Sequence, residues 1–160
     1  MTAVPATPAT AALTVAGLWW RGHTYQHNPA SASYGLEAAC ALGVDVAAVY
    51  KTLIAQVEGV GLVVGIVPVA LLLDLKALAQ ASRGKRAEMA TPPTAERSSG
   101  YVVGGISPIG QRKALPTFLD ESAILFEQIF VSGGRRGFDI EIAPADLLSI
   151  TDGQYAGIAR

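Results

Sequence analysis

The chain has 160 residues, of which 51% are hydrophobic and 16% charged, with a formal net charge of −1. That size and composition suit one folded domain that buries roughly two-thirds of its unfolded surface, and they exclude an intrinsically disordered chain. The near-zero charge excludes a broad positive field for long nucleic acid, DNA above all, and the single cysteine excludes a disulfide framework and fits a reducing cytoplasm.

Residues 1–17 are rich in Ala, Thr and Pro and are expected to lie loosely, with a short helix over Ala9 to Ala16 that stops at Gly17. The domain proper is expected to span residues 18–160. Met1 to Ala16 holds no Lys or Arg, so the cationic flank of a signal peptide is missing. The most apolar run, Val60 to Leu73, is too short to span a bilayer and contains Pro68. It reads as a strand and a turn, and the expectation is a soluble chain without a membrane partner.

Leu18 to Tyr25 is rich in β-formers and predicts a strand. On an extended segment His23 and His27 lie about 13 Å apart, too far to share one ion. With Cys40 the sole thiol, no metal site is expected. Ser33 predicts an N-cap, with Glu37 at the positive end of a helix that closes at Gly43. Cys40 falls on the apolar stripe of that helix and reads as a core thiol.

Val49 to Val57 is the most informative strand. Its period of two places Val49, Lys51, Leu53, Ala55 and Val57 on one face, and only Lys51 is charged. A lysine among apolar neighbours is costly unless an anion, a ligand or open water meets it. The plain alternative is a lysine that snorkels to solvent from the strand end. Glu58-Gly59 turns the chain, and Val60 to Val67 returns as the partner strand.

Asp74 predicts the cap of a helix with Leu75, Leu78 and Ala79 on one stripe, closing near Gly84. Arg86 to Ala90 reads as a short strand, and Thr91-Pro92-Pro93 opens a helix that ends at Gly100. Tyr101 to Val103 reads as a strand stopped by the pair Gly104-Gly105, with Ser107 and Pro108 just beyond. Adjacent glycines let a ligand lie against the peptide backbone, whereas the plain alternative is a tight structural turn. Leu115 to Leu119 predicts a strand, with Pro116 at its edge or end. Ile129 to Val131 predicts another, broken by Ser132-Gly133-Gly134-Arg135-Arg136-Gly137. Phe138, Ile140 and Ile142 then alternate with Asp139 and Glu141, and Pro144 opens the final helix. Asp139 reads as a partner for Arg135 or Arg136, or as a pocket carboxylate. Strands and helices mix without strict alternation, which predicts a single α/β (mixed α+β) domain with a central mixed, barrel-like sheet surrounded by helices.

Phosphate-loop, nucleophile-elbow, C-x-x-C and H-E-x-x-H motifs are all missing. What remains is one lysine on an apolar face, two glycine turns that carry serines, Asp139 and a few tyrosines. Such a set stabilises charge and positions a substrate, but it supplies no nucleophile of its own.

Three patches carry a family resemblance. They are Val49-Tyr50-Lys51-Thr52-Leu53, Arg97 to Gln111 with its Gly-Tyr-x-Val-Gly-Gly-Ile-Ser-Pro core, and Val131-Ser132-Gly133-Gly134 through Gly137-x-Asp139-Ile140-Glu141. In these the chain resembles the bacterial YbaK/EbsC family, free-standing relatives of the editing domain inserted in prolyl-tRNA synthetase. The resemblance runs from about His23 to the C-terminus. It implies a cytoplasmic trans-editing deacylase that removes cysteine wrongly attached to tRNA(Pro), with Cys-tRNA(Cys) as a second candidate substrate and with no cofactor. It further implies that Lys51 holds the phosphate of the tRNA acceptor end, and that Tyr25 and Asp139 serve the chemistry. By the same token Tyr34, Thr52 and Ser132 line the amino-acid pocket, and Gly104, Gly105 and Ser107 form a backbone cradle. The chemistry implied is attack of the substrate's own thiol on its ester, with release of a thiolactone. Prolyl-tRNA synthetase is the implied partner, supplying the grip on tRNA. Two other readings stay open: a deacylase for another small amino acid such as alanine, against which Thr52 after Lys51 speaks, and a non-catalytic binder of acceptor ends or nucleotides.

Overall fold

A computed structural model describes residues 3–31 and 33–160. The elements in chain order are α1 (Pro8–Ala16), β1 (Arg21–Thr24), α2 (Tyr34–Leu42), β2 (Tyr50–Val57), β3 (Gly61–Pro68), α3 (Leu75–Ala81) and β4 (Ala87–Met89). They continue as α4 (Pro92–Ser99), β5 (Thr117–Asp120), β6 (Ile129–Arg135), β7 (Phe138–Ile142), α5 (Pro144–Thr151) and β8 (Gln154–Ala156). The expected caps form: Ser33, Asp74 and Thr91 each accept from a first-turn N–H, and Gly17, Gly43 and Gly100 end their helices in the left-handed region.

The strands build two sheets. One is antiparallel, in the order β1-β7-β6, and the other is mixed, in the order β4-β2-β3-β5-β8. The domain is therefore mixed α/β as expected, but no closed barrel forms. The two sheets share a single bridge between Val49 and Phe130, so no continuous ladder runs round a ring. β5 lies between β3 and β8, parallel to both, which puts Pro116 at a strand end and not at a sheet edge.

Four further expectations change. The described part of the N-terminal segment does not lie loose from Thr7 on. Ala9 and Leu13 of α1 are fully buried in the same core as Tyr50, Ile66 and Phe138, and the Thr7 hydroxyl donates to Gly133 O at 2.6 Å. Cys40 is exposed, because α2 packs inward through Gly35, Ala38 and Ala39, a stripe that leaves Cys40 outside. Residues Tyr101–Val103 form a loop, not a strand. Their polar groups are engaged outside any ladder: Val103 N donates to Glu96 Oε2 at 2.9 Å, and the buried Tyr101 hydroxyl donates to Ile109 O at 2.6 Å. β6 also runs on past Ser132, since a bulge between Ser132 and Arg135 absorbs the two glycines.

Candidate active site

A cavity of about 390 Å³ opens where β2 of the larger sheet meets the β6–β7 face of the smaller one, and that volume falls in the usual range for small-ligand clefts. Lys51 and Thr52 enter from β2, Ser132 and Asp139 from β6 and β7, Tyr25 from the end of β1, and Tyr34 from α2. The register explains the β6–β7 pair, because Ser132 stands directly across from Asp139. Gly104 completes the wall from the loop that follows α4. Its φ of +90° favours glycine, and a Cβ there would stand 2.8 Å from both Tyr34 Cζ and Arg136 Nε.

Gly105 and Ser107 do not line this cavity. Ser107 is fully buried, and its hydroxyl accepts from Ile109 N at 3.2 Å. A Cβ on Gly105 would stand 2.8 Å from Arg135 Cα, so this glycine lets the loop pack on the end of β6. Gly105→Ala must displace backbone, and is expected to destabilise the fold by about 1–3 kcal/mol in chemical denaturation. Of the expected cradle, only Gly104 reaches the cavity.

Electrostatics sort the polar groups. Asp139 is 6% exposed, and burial raises its carboxyl pKa to about 7. The expected ion pair with an arginine is missing. The Arg136 guanidinium instead donates to Val103 O from Nη2 at 2.7 Å and from Nε at 3.0 Å, and lies over the Tyr34 ring. Arg136 thus clasps the 101–106 loop against the pocket wall. Tyr25 sits near Asp139, and burial first, then that carboxylate's charge, pushes its phenol above the ordinary value. It stays protonated at neutral pH, a state in which a phenol can donate a hydrogen bond but cannot act as a base. Lys51 is partly buried, and loss of solvent alone lowers its pKa. No carboxylate lies within ion-pair distance of any Lys or Arg among the described residues.

Thr52 stands out because its buried hydroxyl has no hydrogen-bond partner. Thr52→Val keeps the shape and removes that group, and is expected to raise stability by about 1 kcal/mol in urea unfolding. The histidines are spoken for elsewhere, with His23 on Glu141 at 2.8 Å and His27 on Glu37 at 3.2 Å. Among the described residues no three His, Cys, Asp or Glu side chains converge as a metal cluster. The apolar walls escape a reading of the sequence: Gly35 and Ala38 of α2, Ala95 of α4, Met89, Ile106 and Val69. Small residues on helices carry no signal of a cavity, because they matter only through what packs opposite them.

Residues 28–150 match the family model described as the aminoacyl-tRNA editing domain. The chain belongs to the aminoacyl-tRNA editing domain family. Membership makes it an aminoacyl-tRNA deacylase, and the match contains every cavity residue just described except Tyr25. This editing domain is 44% identical over 117 residues to a protein of Enterococcus faecalis (strain ATCC 700802 / V583), provisionally named Cys-tRNA(Pro)/Cys-tRNA(Cys) deacylase EbsC. The aligned part is 73% of this chain and 71% of that protein. A crystal structure described provisionally as a trans-editing enzyme for prolyl-tRNA synthetase superposes with a TM-score of 0.81 at 28% identity, over 96% of this chain and 95% of the other. A second, of a hypothetical protein, gives 0.86 at 22% identity over 96% and 100%, and shows the fold alone. Among the described residues of the editing domain no helix is long and apolar enough to cross a membrane.

Proposed function

We propose that this editing domain acts in trans on tRNA(Pro) that carries cysteine, and clears it by letting the substrate attack itself. One observation carries the reading: the cavity gathers charge-handling groups but pairs no nucleophile with a base. Cys40 is exposed on α2, outside the cavity wall, and both histidines are engaged by glutamates. The kinship with the Enterococcus faecalis protein, named for Cys-tRNA(Pro) and Cys-tRNA(Cys), supports cysteine as the amino acid.

In the proposed reaction the substrate's thiol sulfur attacks its own ester carbonyl carbon. A C–S bond forms, the C–O bond to the terminal ribose breaks, and the thiol proton ends on the ribose oxygen. The products are uncharged tRNA and a four-membered thiolactone, which water opens to cysteine. Lys51 would meet the phosphate of the acceptor end, and Tyr25 would donate to the substrate. Asp139, with a pKa of about 7, is present in both protonation states at neutral pH and can carry the proton between them. The small, nearly uncharged chain suits delivery of tRNA by prolyl-tRNA synthetase in the cytoplasm.

Time courses with Cys-, Ala- and Ser-charged tRNA(Pro) test this, with a thiol trap for the thiolactone. Cysteine is expected to leave fastest. Faster loss of alanine would replace cysteine as the substrate. No loss from any of the three, even with prolyl-tRNA synthetase present, would leave a binder of acceptor ends.

A further inference from the structure

Part of the edge of strand β2 lies in the cavity with no strand laddered onto it. It pairs with β3 along its whole length, and the bond from Val69 N to Val49 O at 2.9 Å fixes the alternation. Val49, Lys51, Leu53, Ala55 and Val57 therefore exchange bonds with the β3 side, and the N–H and C=O groups of Thr52 point to the opposite edge. On that edge β4 begins only at the Ala55–Met89 pair, and Ala90 N closes the ladder on Ile54 O at 3.0 Å. At the other end β6 runs alongside β2, but among the described residues the one bridge to it is that of Val49, just before β2, with Phe130. Between these two contacts no strand is laddered onto Thr52. The gap is the cavity, which Thr52 lines, and the Thr52 hydroxyl is buried there without a partner.

Buried backbone groups are almost always paired, so a donor and acceptor that lie outside every ladder and face a cleft mark a place for a ligand. An aminoacyl ester carries the matching pair. Its amino group donates and its carbonyl oxygen accepts, with the same spacing as in a peptide residue, and two residues facing each other across an antiparallel ladder exchange both bonds. We propose that the aminoacyl group docks on the free edge of β2 as a one-residue strand partner, with its amino group on Thr52 O and its ester carbonyl on Thr52 N–H. This rests on the deacylase reading and adds the group that receives the oxyanion. When the ester carbon is attacked, its oxygen becomes negative, and a donor fixed in a paired strand meets that charge without reorganising. The oxyanion site is then the β2 edge and not the glycine pair Gly104-Gly105, of which only Gly104 touches the cavity.

The test replaces Thr52 with its α-hydroxy-acid counterpart, which exchanges one backbone N–H for oxygen and leaves the side chain in place. The full-length protein is expected to keep its melting temperature, because β3 and β4 make no use of that N–H. The single-turnover rate on Cys-tRNA(Pro) is expected to fall about 10²–10³-fold, the usual loss on removing one oxyanion donor, with little change in KM. The same exchange at Leu53, whose N–H faces β3, is expected to lower the melting temperature and so calibrates the cost of a spent bond. An unchanged rate in the folded Thr52 ester overturns the inference, as does a melting loss equal to that at Leu53. Wild-type protein that clears no charged tRNA defeats the deacylase reading, and this inference falls with it, so the two failures are told apart.

Discussion

Lys51→Met is expected to lower the single-turnover deacylation rate by about 10²–10³-fold while the protein stays folded. Methionine keeps the apolar stem, so the packing of β2 survives and only the ammonium is lost. That ammonium is partly stripped of water, which lowers its pKa, and no carboxylate repays the loss. The fold therefore gains nothing from the charge, and the sign of the stability change follows. A lysine whose folded pKa lies below its unfolded value weakens the folded state wherever it is protonated. Lys51→Met is accordingly expected to melt at or slightly above the wild-type temperature at pH 7. A variant that melts normally and still deacylates at the wild-type rate would remove Lys51 from the chemistry. Lys51→Arg, which keeps the charge on a wider head, is expected to recover only part of the rate.

Asp139→Asn should likewise separate activity from stability, with a pH dependence that reads the buried carboxyl. Burial raises the carboxyl from the ordinary 3.8 to about 7, so the folded state holds a proton that the unfolded chain has already released. Between those two values the folded form binds more protons, and wild-type stability must fall as pH rises from about 4 to about 7, then level off. The gap corresponds to about 4 kcal/mol at most. Asparagine removes the dependence, so denaturation midpoints of the variant should be flat over this window and exceed the wild type at pH 8. Its deacylation rate is expected to drop, because the group that exchanges a proton near neutrality is gone. A wild-type stability that rises through this window would show that Asp139 is held ionised by a partner cation, and the proton role would fail.

Local signals carried much of this molecule. The caps at Ser33, Asp74 and Thr91 sit where short polar residues precede apolar spacing, and the β2–β3 hairpin follows from Glu58-Gly59 between two apolar runs. Lys51 was legible as a candidate because alternation alone exposes a charge on an apolar face. Cys40 was misplaced because α2 is apolar nearly all round, and the neighbouring sheet, not the helix, chose which stripe is covered. Tyr101–Val103 has strand composition, yet Glu96, Arg136 and Ile109 take up its polar groups, contacts that strand periodicity does not encode. The barrel-like sheet was read from strand content, which cannot show where a ladder stops.

By itself the sequence determined most of the elements, their caps, the family and the lysine on an apolar face, since each depends on residues a few positions apart. Only the tertiary structure decided that Asp139 faces Ser132 unpaired, that Gly105 and Ser107 belong to the packing, and that β2 keeps an open edge at Thr52. The physical reason is that burial and hydrogen-bond pairing are set by whatever lies across the gap, and here that is chain from as far away as β6 and β7.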